Sequence, residues 1–440
     1  MLGVLGLVLA IVVLIVFAYK GLGALPLALL GALVAIIFNR MPLWDTYANQ
    51  FVSGYASAFT SYMLLFVSSA FFAKLMDVSG CATSIGHKFC DWFGTKHVVL
   101  VGILIVAILT YGGVSLFVVI YAVAPILFTM FKEANLPRHL TVICFSAGSS
   151  TFVMTCLPGS PQLSNLVATE YLGTTLNAAP VMGIACGIVL FLMVWAYGEW
   201  ATKKARERGE VWTYPKNVSP ELYELKDRSL LPPSWKGLLT IVILLVIIIV
   251  GSHMGINATL IAVGAMLIGC VLVLLLNIDR FKGKTKWLKL LTDGMNGGIT
   301  AIGGIAAILG FGAVIRETPA YTAVIDWCLS LNMNPLVLAV VVTCVVCAIT
   351  GGSSSGQRIM YETMAPTFIA SGANLSVLHR LVAIASGSLD TLPHSSGLFV
   401  VYQVLGLTHK EAYRHTFAVS VVAPLILTIV ATAICVVAGV

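Results

Sequence analysis

The stretch TGGSSSGQR, residues 350–358, interrupts one of the most apolar segments of the chain. The residues just before it, LVLAVVVTCVVCAI (336–349), include nothing more polar than one threonine and two cysteines. In a water-soluble protein, the glycines, serines, amide and arginine of this stretch would mark an ordinary surface loop. Whether that interpretation holds depends on the composition of the whole chain.

The composition is that of a membrane protein. The chain has 440 residues, of which 59% are hydrophobic and only 10% are charged. Soluble domains carry about 25% charged residues, whereas a membrane-spanning helix needs about 20 predominantly apolar ones. Many such runs follow one another here, so we expect an all-α polytopic membrane protein embedded in the lipid bilayer. The first run (1–20) has no basic start and no cleavage site, and is expected to be a transmembrane helix rather than a secretory signal.

The charges and the cysteines argue against other classes. The net charge of +7 comes from Lys and Arg between apolar runs. The positive-inside rule explains that distribution, so no nucleic-acid partner is expected. The ten cysteines are scattered, and Cys344 and Cys347 form a C-x-x-C within an apolar run, without a second pair. We therefore expect neither a metal site nor any other cofactor.

The two halves of the chain resemble each other. Five matches are 239 positions apart (311 minus 72, for example), and two more follow after a slip of four residues. The matches are Phe72/Phe311, Thr83/Thr322, Gly112-Gly113/Gly351-Gly352, Ala134-Asn135-Leu136/Ala373-Asn374-Leu375, Gly148-Ser149/Gly387-Ser388, Leu157-Pro158/Leu392-Pro393 and Ser160/Ser395. This pattern indicates an internal duplication, with repeat 1 at 1–200, a basic cytoplasmic linker at 201–237 and repeat 2 at 238–440.

The two repeats are expected to be inverted in the membrane. Repeat 1 contains an odd number of crossings, near 2–19, 22–38, 57–76, 139–171 and 178–198, so the second half should start from the opposite side. Basic residues flank the first glycine pair and uncharged residues flank the second, which gives the same result. Inverted repeats are frequent in secondary transporters. Both chain ends are then expected outside the cytoplasm.

Each repeat contains an apolar stretch with glycines near its middle, too long for one crossing and short for two. These stretches, at about 97–131 and 335–371, are expected to be re-entrant hairpins, and TGGSSSGQR would be the tip of the second. Irregular backbone at membrane depth is tolerated only inside protein or along a wet cavity. Two short ordinary helices joined by a surface loop are the alternative.

A proline-containing interruption follows each hairpin. The two segments are TCLPGSPQLSN (155–165) and GSLDTLPHSSG (387–397). Proline and glycine break helices, so we expect broken helices at about 139–171 and 377–406. Their freed N–H and C=O groups would face a cavity, as at the discontinuous helices of transporters.

Hydroxyl and amide side chains collect at the two tips and the two interruptions, without a cluster of carboxylates. That inventory suits a polar organic solute better than a divalent metal, although serines and threonines also occur in helix packing. The candidate substrate-binding residues of this kind are Ser115, Ser160, Gln162, Ser164, Asn165, Ser353, Ser354, Ser355, Gln357, Thr391, Ser395 and Ser396.

Ionisable residues are fewer at these places, and within a membrane they are functional candidates by default. Asp390 is the first candidate for proton coupling. His394 could hold the proton or bind a substrate carboxylate, and a purely structural hydrogen bond between the two is the alternative. Arg358 could bind a substrate carboxylate through its planar fork, or form an internal ion pair with Glu362, one helical turn away.

At these motifs the chain resembles the GntP family of gluconate and hydroxy-acid permeases. The segments GGSSSGQRIMYETMAP (351–366), GSLDTLPHSSG (387–397) and LGLTHKEAY (405–413) carry the resemblance, which is strongest to the branch of β-hydroxybutyrate permeases. It implies proton-coupled uptake of small hydroxycarboxylates across the bacterial inner membrane. It also implies kinship with the ion-transporter superfamily, a homodimer, and an elevator-type movement of hairpins and broken helices against scaffold helices near 2–38 and 238–277.

The leading hypothesis is therefore a proton symporter for small organic anions such as 3-hydroxybutyrate or gluconate. The substrate would bind between the hairpin tips and the broken helices. Sodium coupling through backbone carbonyls at the two interruptions is the alternative, and a passive channel is a third possibility. An enzyme is not expected, because a protease needs a placed nucleophile or a dyad and only Asp390 lies convincingly in an interruption.

Overall fold

The computed structural model describes residues 2–214, 228–254, 257–282, 286–331 and 333–439, and the regular elements within them are helices. The first half contains α1 (Leu2–Tyr19), α2 (Ala24–Phe38), α3 (Leu43–Val78), α4 (Cys81–Phe93), α5 (Val98–Tyr111), α6 (Leu116–Glu133), α7 (Thr141–Ser150), α8 (Phe152–Thr155), α9 (Leu163–Leu172) and α10 (Pro180–Glu207). The second half contains α11 (Ser234–His253), α12 (Ala258–Leu276), α13 (Ile278–Phe281), α14 (Trp287–Arg316), α15 (Pro319–Leu329), α16 (Pro335–Thr350), α17 (Ser353–Ala370), α18 (Leu375–Ser386), α19 (Ser396–Leu405) and α20 (His409–Ala438).

Eight of the described helices are long and apolar enough to cross a membrane: α1, α3, α6, α10, α11, α12, α14 and α20. The prediction of an all-α polytopic membrane protein is confirmed. The predicted linker at 201–237 is only partly visible, because α10 continues to Glu207 and residues 215–227 lie outside the described part of the chain. Its cytoplasmic position stays a prediction.

The centre of the fold is the pair of long helices α3 and α14. Adding 239 to the bounds of α3 (43–78) gives 282–317, so the two helices occupy equivalent places in the two halves. They run antiparallel: Gly54 of α3 packs against Leu309 and Ala313 near the end of α14, whereas Gly294, near the start of α14, packs against Phe71. This antiparallel packing of equivalent helices supports the predicted inversion of the two halves, which itself stays a prediction.

Small residues allow this close packing. A Cβ atom on Gly298 would lie 2.6 Å from the carbonyl oxygen of Phe66, and a Cβ on Gly54 would lie 2.7 Å from the Cβ of Ala313. Glycines let helix backbones approach where lipid gives no hydrophobic driving force. The helix pairs α1–α2 and α11–α12 flank this centre, with α2 against α14 and α12 against α3.

The two predicted hairpins correspond to the helix pairs α5–α6 and α16–α17. The first pair turns at residues 112–115 and the second at residues 351–352 alone. Gly351 has a left-handed φ of +62°, a conformation that glycine adopts without steric cost. The tip is therefore shorter than TGGSSSGQR, because Ser353 already begins α17. Whether the pairs are re-entrant stays a prediction.

The two proline-containing interruptions are irregular backbone between helices. In the first half, α8 ends at Thr155 and α9 begins at Leu163; in the second, α18 ends at Ser386 and α19 begins at Ser396. We refer to the non-helical residues 156–162 as break 1 and 387–395 as break 2.

Candidate functional site

Four helices begin at the hairpin tips and breaks, and the N–H groups of their first turns are not capped by the side chain of the N-cap residue. Their N-cap residues are Ser115 for α6, Gln162 for α9, Gly352 for α17 and Ser395 for α19, and none of the four has a side-chain capping hydrogen bond. The first N–H groups of a helix have no intrahelical partner, and the helix dipole adds a partial positive charge there. Helix starts of this kind are suited to anions.

Hydrogen bonds hold each hairpin tip against the break of its own half. Gln162 Nε2 donates to the carbonyl oxygen of Thr110 at 2.6 Å, at the end of α5. Ser395 Oγ donates to the carbonyl oxygen of Gly351 at 2.9 Å. His394 Nε2 lies 2.9 Å from the carbonyl oxygen of Ala348, which can only accept, so this nitrogen carries the hydrogen. Thus three side chains that were predicted to bind substrate donate hydrogen bonds to carbonyl groups at the ends of the hairpin helices.

Contacts across the two halves bring the four helix starts together. The Ser353 hydroxyl on α17 lies 3.8 Å from Met154 Sδ on α8. A Cβ atom on Gly397, in the first turn of α19, would lie 3.8 Å from the side chain of Leu116, in the first turn of α6. Break 2 also begins against break 1, because Gly387 packs on the side chain of Thr155. The four starts therefore belong to one region of the molecule.

Asp390 lies in break 2 at the start of α17. It is only 6% exposed, and its carboxylate faces the Ser353 side chain and the backbone amides of Asp390 and Thr391. One carboxylate oxygen, Oδ1, has no hydrogen-bond partner among the described residues. The predicted structural hydrogen bond between Asp390 and His394 is not among the described contacts, since the imidazole donates to Ala348 instead.

The other hydroxyl and amide side chains that were predicted to bind substrate fall into two groups, those with a hydrogen-bond partner in the protein and those without one among the described residues. Those that bond within the protein are Ser164 to the Met154 carbonyl (2.5 Å), Thr391 to Ser420 (2.8 Å), Gln357 to Ser386 (2.9 Å), Asn165 to the Ser160 carbonyl (3.0 Å) and Ser355 to the Gly352 carbonyl (3.2 Å). In contrast, Ser115 Oγ and Ser160 Oγ are buried and have no partner in the described part of the chain. Ser354 and Ser396 are half-buried at the first turns of α17 and α19.

Sequence reasoning missed Arg380, a fully buried arginine of α18. Its guanidinium donates to the carbonyl oxygens of Thr155, Leu176 and Ala178 and to Asn165 Oδ1, at 2.9–3.3 Å. These contacts occupy its five N–H groups, and all the acceptors are neutral. Arg380, from α18 in the second half, thereby holds together the two ends of break 1 in the first half. It also brings to break 1 a positive charge that none of these acceptors neutralises. The available signal was an arginine in the middle of a largely apolar helix.

Arg358 has a different partner from the one predicted. It forms a two-pronged ion pair with Glu170 of α9, at 3.2 and 3.5 Å, and the two side chains are 48% and 55% exposed. Glu362, the predicted ion-pair partner, instead accepts a hydrogen bond from Tyr171 at 3.1 Å. This exposed pair joins α17 to α9 at the surface, away from the buried ends of the breaks.

A cavity of about 490 Å³ lies beside the second hairpin tip. Its walls come from the first half of α3, the last turns of α14, and Thr350 and Ser355 on either side of the tip. The walls are mostly polar, and the lining residues used below are Asn49, Gln50, Ser53, Ser57, Ser61, Arg316 and Glu317. Sequence reasoning did not anticipate this wall.

These features define a polytopic helical membrane protein with a polar site inside the bundle. The chain belongs to the GntP permease family, whose model matches residues 2–440. It is similar to an uncharacterized transporter, YxjC, of Bacillus subtilis (strain 168), with 28% identity over 94% of this chain and 95% of the relative. Among solved structures, the YdaH transporter of Alcanivorax borkumensis aligns over 88% of this chain and 86% of its own, with 15% identity and a TM-score of 0.44.

Proposed function

We propose that this GntP-family permease is a proton-coupled symporter that carries small hydroxycarboxylates across the bacterial inner membrane. The observation that carries the proposal is the meeting of four uncapped helix starts with a buried carboxylate, Asp390, at one of them. The family assignment supports transport as such; the coupling ion and the substrate are our inference.

The anion would be held mainly by backbone. The starts of α6, α9, α17 and α19 offer N–H groups and partial positive charge to a carboxylate. Arg380, buried with only neutral acceptors, adds a fixed positive charge to the same region. The buried hydroxyls of Ser115 and Ser160, which have no partner among the described residues, would bond the hydroxyl groups of the substrate. A hydroxycarboxylate such as 3-hydroxybutyrate or gluconate has both kinds of group.

Asp390 supplies a simple means of coupling. When ionised, its carboxylate occupies the start of α17 and repels a second negative charge. Protonation removes that repulsion, so the proton and the substrate anion enter the site together. Moving one neutral pair into the protein interior costs less free energy than moving an isolated anion.

The packing of the two halves supports alternating access. In the first half, α6 packs on α3, with Phe66 in ring contact with Phe117 (5.0 Å) and Tyr121 (6.3 Å). The equivalent helices α17 and α14 of the second half scarcely touch. The cavity of about 490 Å³ occupies that side. We infer a second state in which α17 packs on α14 and the large cavity closes.

Sodium coupling is the alternative, but several carbonyls in or next to the breaks already accept hydrogen bonds from the protein. Pro158 O accepts from the Tyr111 hydroxyl, Ser160 O from Asn165, Pro393 O from His409, and Thr155 O from Arg380. Carbonyls already bonded to protein donors are poor ligands for a hard cation.

Transport assays in proteoliposomes test the function directly. Labelled 3-hydroxybutyrate, lactate and gluconate would be offered under an imposed pH gradient and, separately, a sodium gradient. We expect accumulation driven by pH alone, its loss in Asp390→Asn, and its retention in the control Asp326→Asn, which alters an exposed carboxylate. Accumulation only with sodium would refute proton coupling, and equilibration without accumulation would indicate a channel.

Cross-linking tests the second state. The positions equivalent to Phe66 and Tyr121 are Ile305 and Met360 (66 + 239 and 121 + 239). Ile305→Cys with Met360→Cys should form an oxidative cross-link only when the second state is populated, whereas Phe66→Cys with Tyr121→Cys should cross-link in the first. The absence of an Ile305–Met360 cross-link under every substrate and pH condition would contradict the exchange of packing between the halves.

A homodimer, implied by the family resemblance, is part of the proposal and would be seen as cross-linked or co-purified pairs.

A further inference from the structure

The cavity between α3, α14 and the second hairpin tip is lined by an arginine that forms no ion pair with any described residue. Arg316, the last residue of α14, lines the cavity and is solvent-exposed. None of the ion pairs among the described residues involves it, although Glu317 lines the same cavity. A planar guanidinium without a carboxylate partner is a natural ligand for a substrate carboxylate.

A row of polar side chains faces this arginine from α3. Asn49, Ser53, Ser57 and Ser61 follow one another at intervals of four residues and all line the cavity. Residues four apart lie on one face of a helix. Gln50 adds a carbonyl oxygen, Oε1, that is buried without a partner in the described part of the chain. The wall thus offers donors and one unfilled acceptor to the hydroxyl groups of a ligand.

The equivalent cavity on the other side of the α3–α14 pair differs in charge. It has a volume of about 210 Å³ and is lined by Lys74, Asp77 and Asp293. Asp77 stands at the position equivalent to Arg316 (77 + 239 = 316). The larger cavity is lined by one arginine and one glutamate, Arg316 and Glu317, whereas the smaller one is lined by two carboxylates beside one lysine. This difference in charge favours an anion in the larger cavity over the smaller one.

We infer that the larger cavity is a recruitment site for the hydroxycarboxylate, in which Arg316 receives the carboxylate and the polar face of α3 receives the hydroxyls before the ligand passes to the second hairpin tip. This inference rests on the proposed function, because it takes its ligand from there. Thr350 and Ser355, on either side of the second hairpin tip, line this cavity, so the recruitment site adjoins the tip.

A cysteine reporter in the cavity tests the charge of this site without transport. Ser57→Cys is exposed in the cavity wall, and its reaction with an anionic thiosulfonate reagent would be compared with that of a cationic one. The chain without this substitution gives the background from its own cysteines. We expect Arg316→Gln to lower the anionic-to-cationic rate ratio about fivefold, as one charge on the wall of a shared aqueous cavity should. The matched control is Arg40→Gln, an exposed arginine close in sequence to α3 but not lining the cavity.

Ligand protection tests the recruitment itself. Gluconate or 3-hydroxybutyrate, whichever is transported, should slow modification of Ser57→Cys, and Arg316→Gln should raise the concentration needed. An unchanged reagent ratio in Arg316→Gln, or a lack of protection by an acid that is transported, would overturn the recruitment site. If no hydroxycarboxylate is transported but another anion protects Ser57→Cys through Arg316, the site stands and the proposed substrate class is wrong.

Discussion

The contact between α3 and α14 should be intolerant of a single added methyl group. A Cβ atom on Gly298 would lie 2.6 Å from the carbonyl oxygen of Phe66 and 2.6 Å from the Cα of Val67. Ordinary contact begins near 3.4 Å, so the helices would have to separate by about 0.8 Å (3.4 minus 2.6) at this point. Both obstacles are backbone atoms, which cannot rotate away as a side chain can. We expect Gly298→Ala to cost about 1–3 kcal/mol, as overpacked sites do, in spite of the gain of up to about 1 kcal/mol that Ala brings to a helix.

The neighbouring glycine provides the control. A Cβ on Gly297 would meet only the Ala70 side chain, at 3.8 Å, so Gly297→Ala should leave the melting temperature unchanged or raise it. Thermal unfolding of the purified protein in detergent would compare the two variants, and we expect Gly298→Ala to melt a few degrees lower. Equal melting temperatures would refute the close packing of α3 on α14, and with it the geometry that supports inverted halves.

Three further predictions concern single side chains. Arg380→Lys keeps the charge but offers three donors in place of five, so we expect a lower melting temperature and slower uptake in proteoliposomes; unchanged stability would refute the clamp on break 1. Burial lowers the pKa of His139, beside Glu210 and Arg414, below its ordinary value of 6.5. Below pH 6.5 the unfolded chain therefore takes up a proton that the folded one resists, so the melting temperature should fall between pH 7 and 5.5, and less steeply in His139→Gln. Arg358→Gln breaks an exposed ion pair and should change the free energy of unfolding, measured by chemical denaturation, by less than about 1 kcal/mol. A larger loss of stability would contradict this prediction.

Much of the fold follows from local patterns in the sequence. Runs of apolar residues predict the helices because their length is set by the bilayer, and glycine and proline predict the turns and interruptions because they alter the backbone itself. The predicted hairpin at 335–371 corresponds to α16 and α17. The tip was predicted too long, since serine is compatible with both a loop and the first turn of a helix.

The site could be predicted less completely, because its contacts join residues far apart in the chain. Arg358 pairs with Glu170, 188 positions away, whereas one-dimensional reasoning offered only Glu362, one turn away. Arg380 reaches Thr155 and Asn165 in the other half. The polar face of α3 is an ordinary helix surface until α14 and the hairpin tip enclose it. Such partners are decided by tertiary packing and not by local pattern.

The hydrogen bonds of the breaks bear on how mutations there should be interpreted. Gln162 and Ser395 were predicted to bind substrate, yet they donate to carbonyls at the two hairpin tips. Replacing either one would loosen a tip and shift a helix start, so a loss of uptake alone would not identify a ligand contact. If the carboxylate is held by N–H groups of the helix starts, the side chains that matter are those that fix the backbone, together with Asp390. Gln162→Leu should then weaken transport of every accepted acid by a similar factor, whereas a true hydroxyl ligand such as Ser160 should distinguish hydroxy acids from their deoxy analogues when it is changed to alanine.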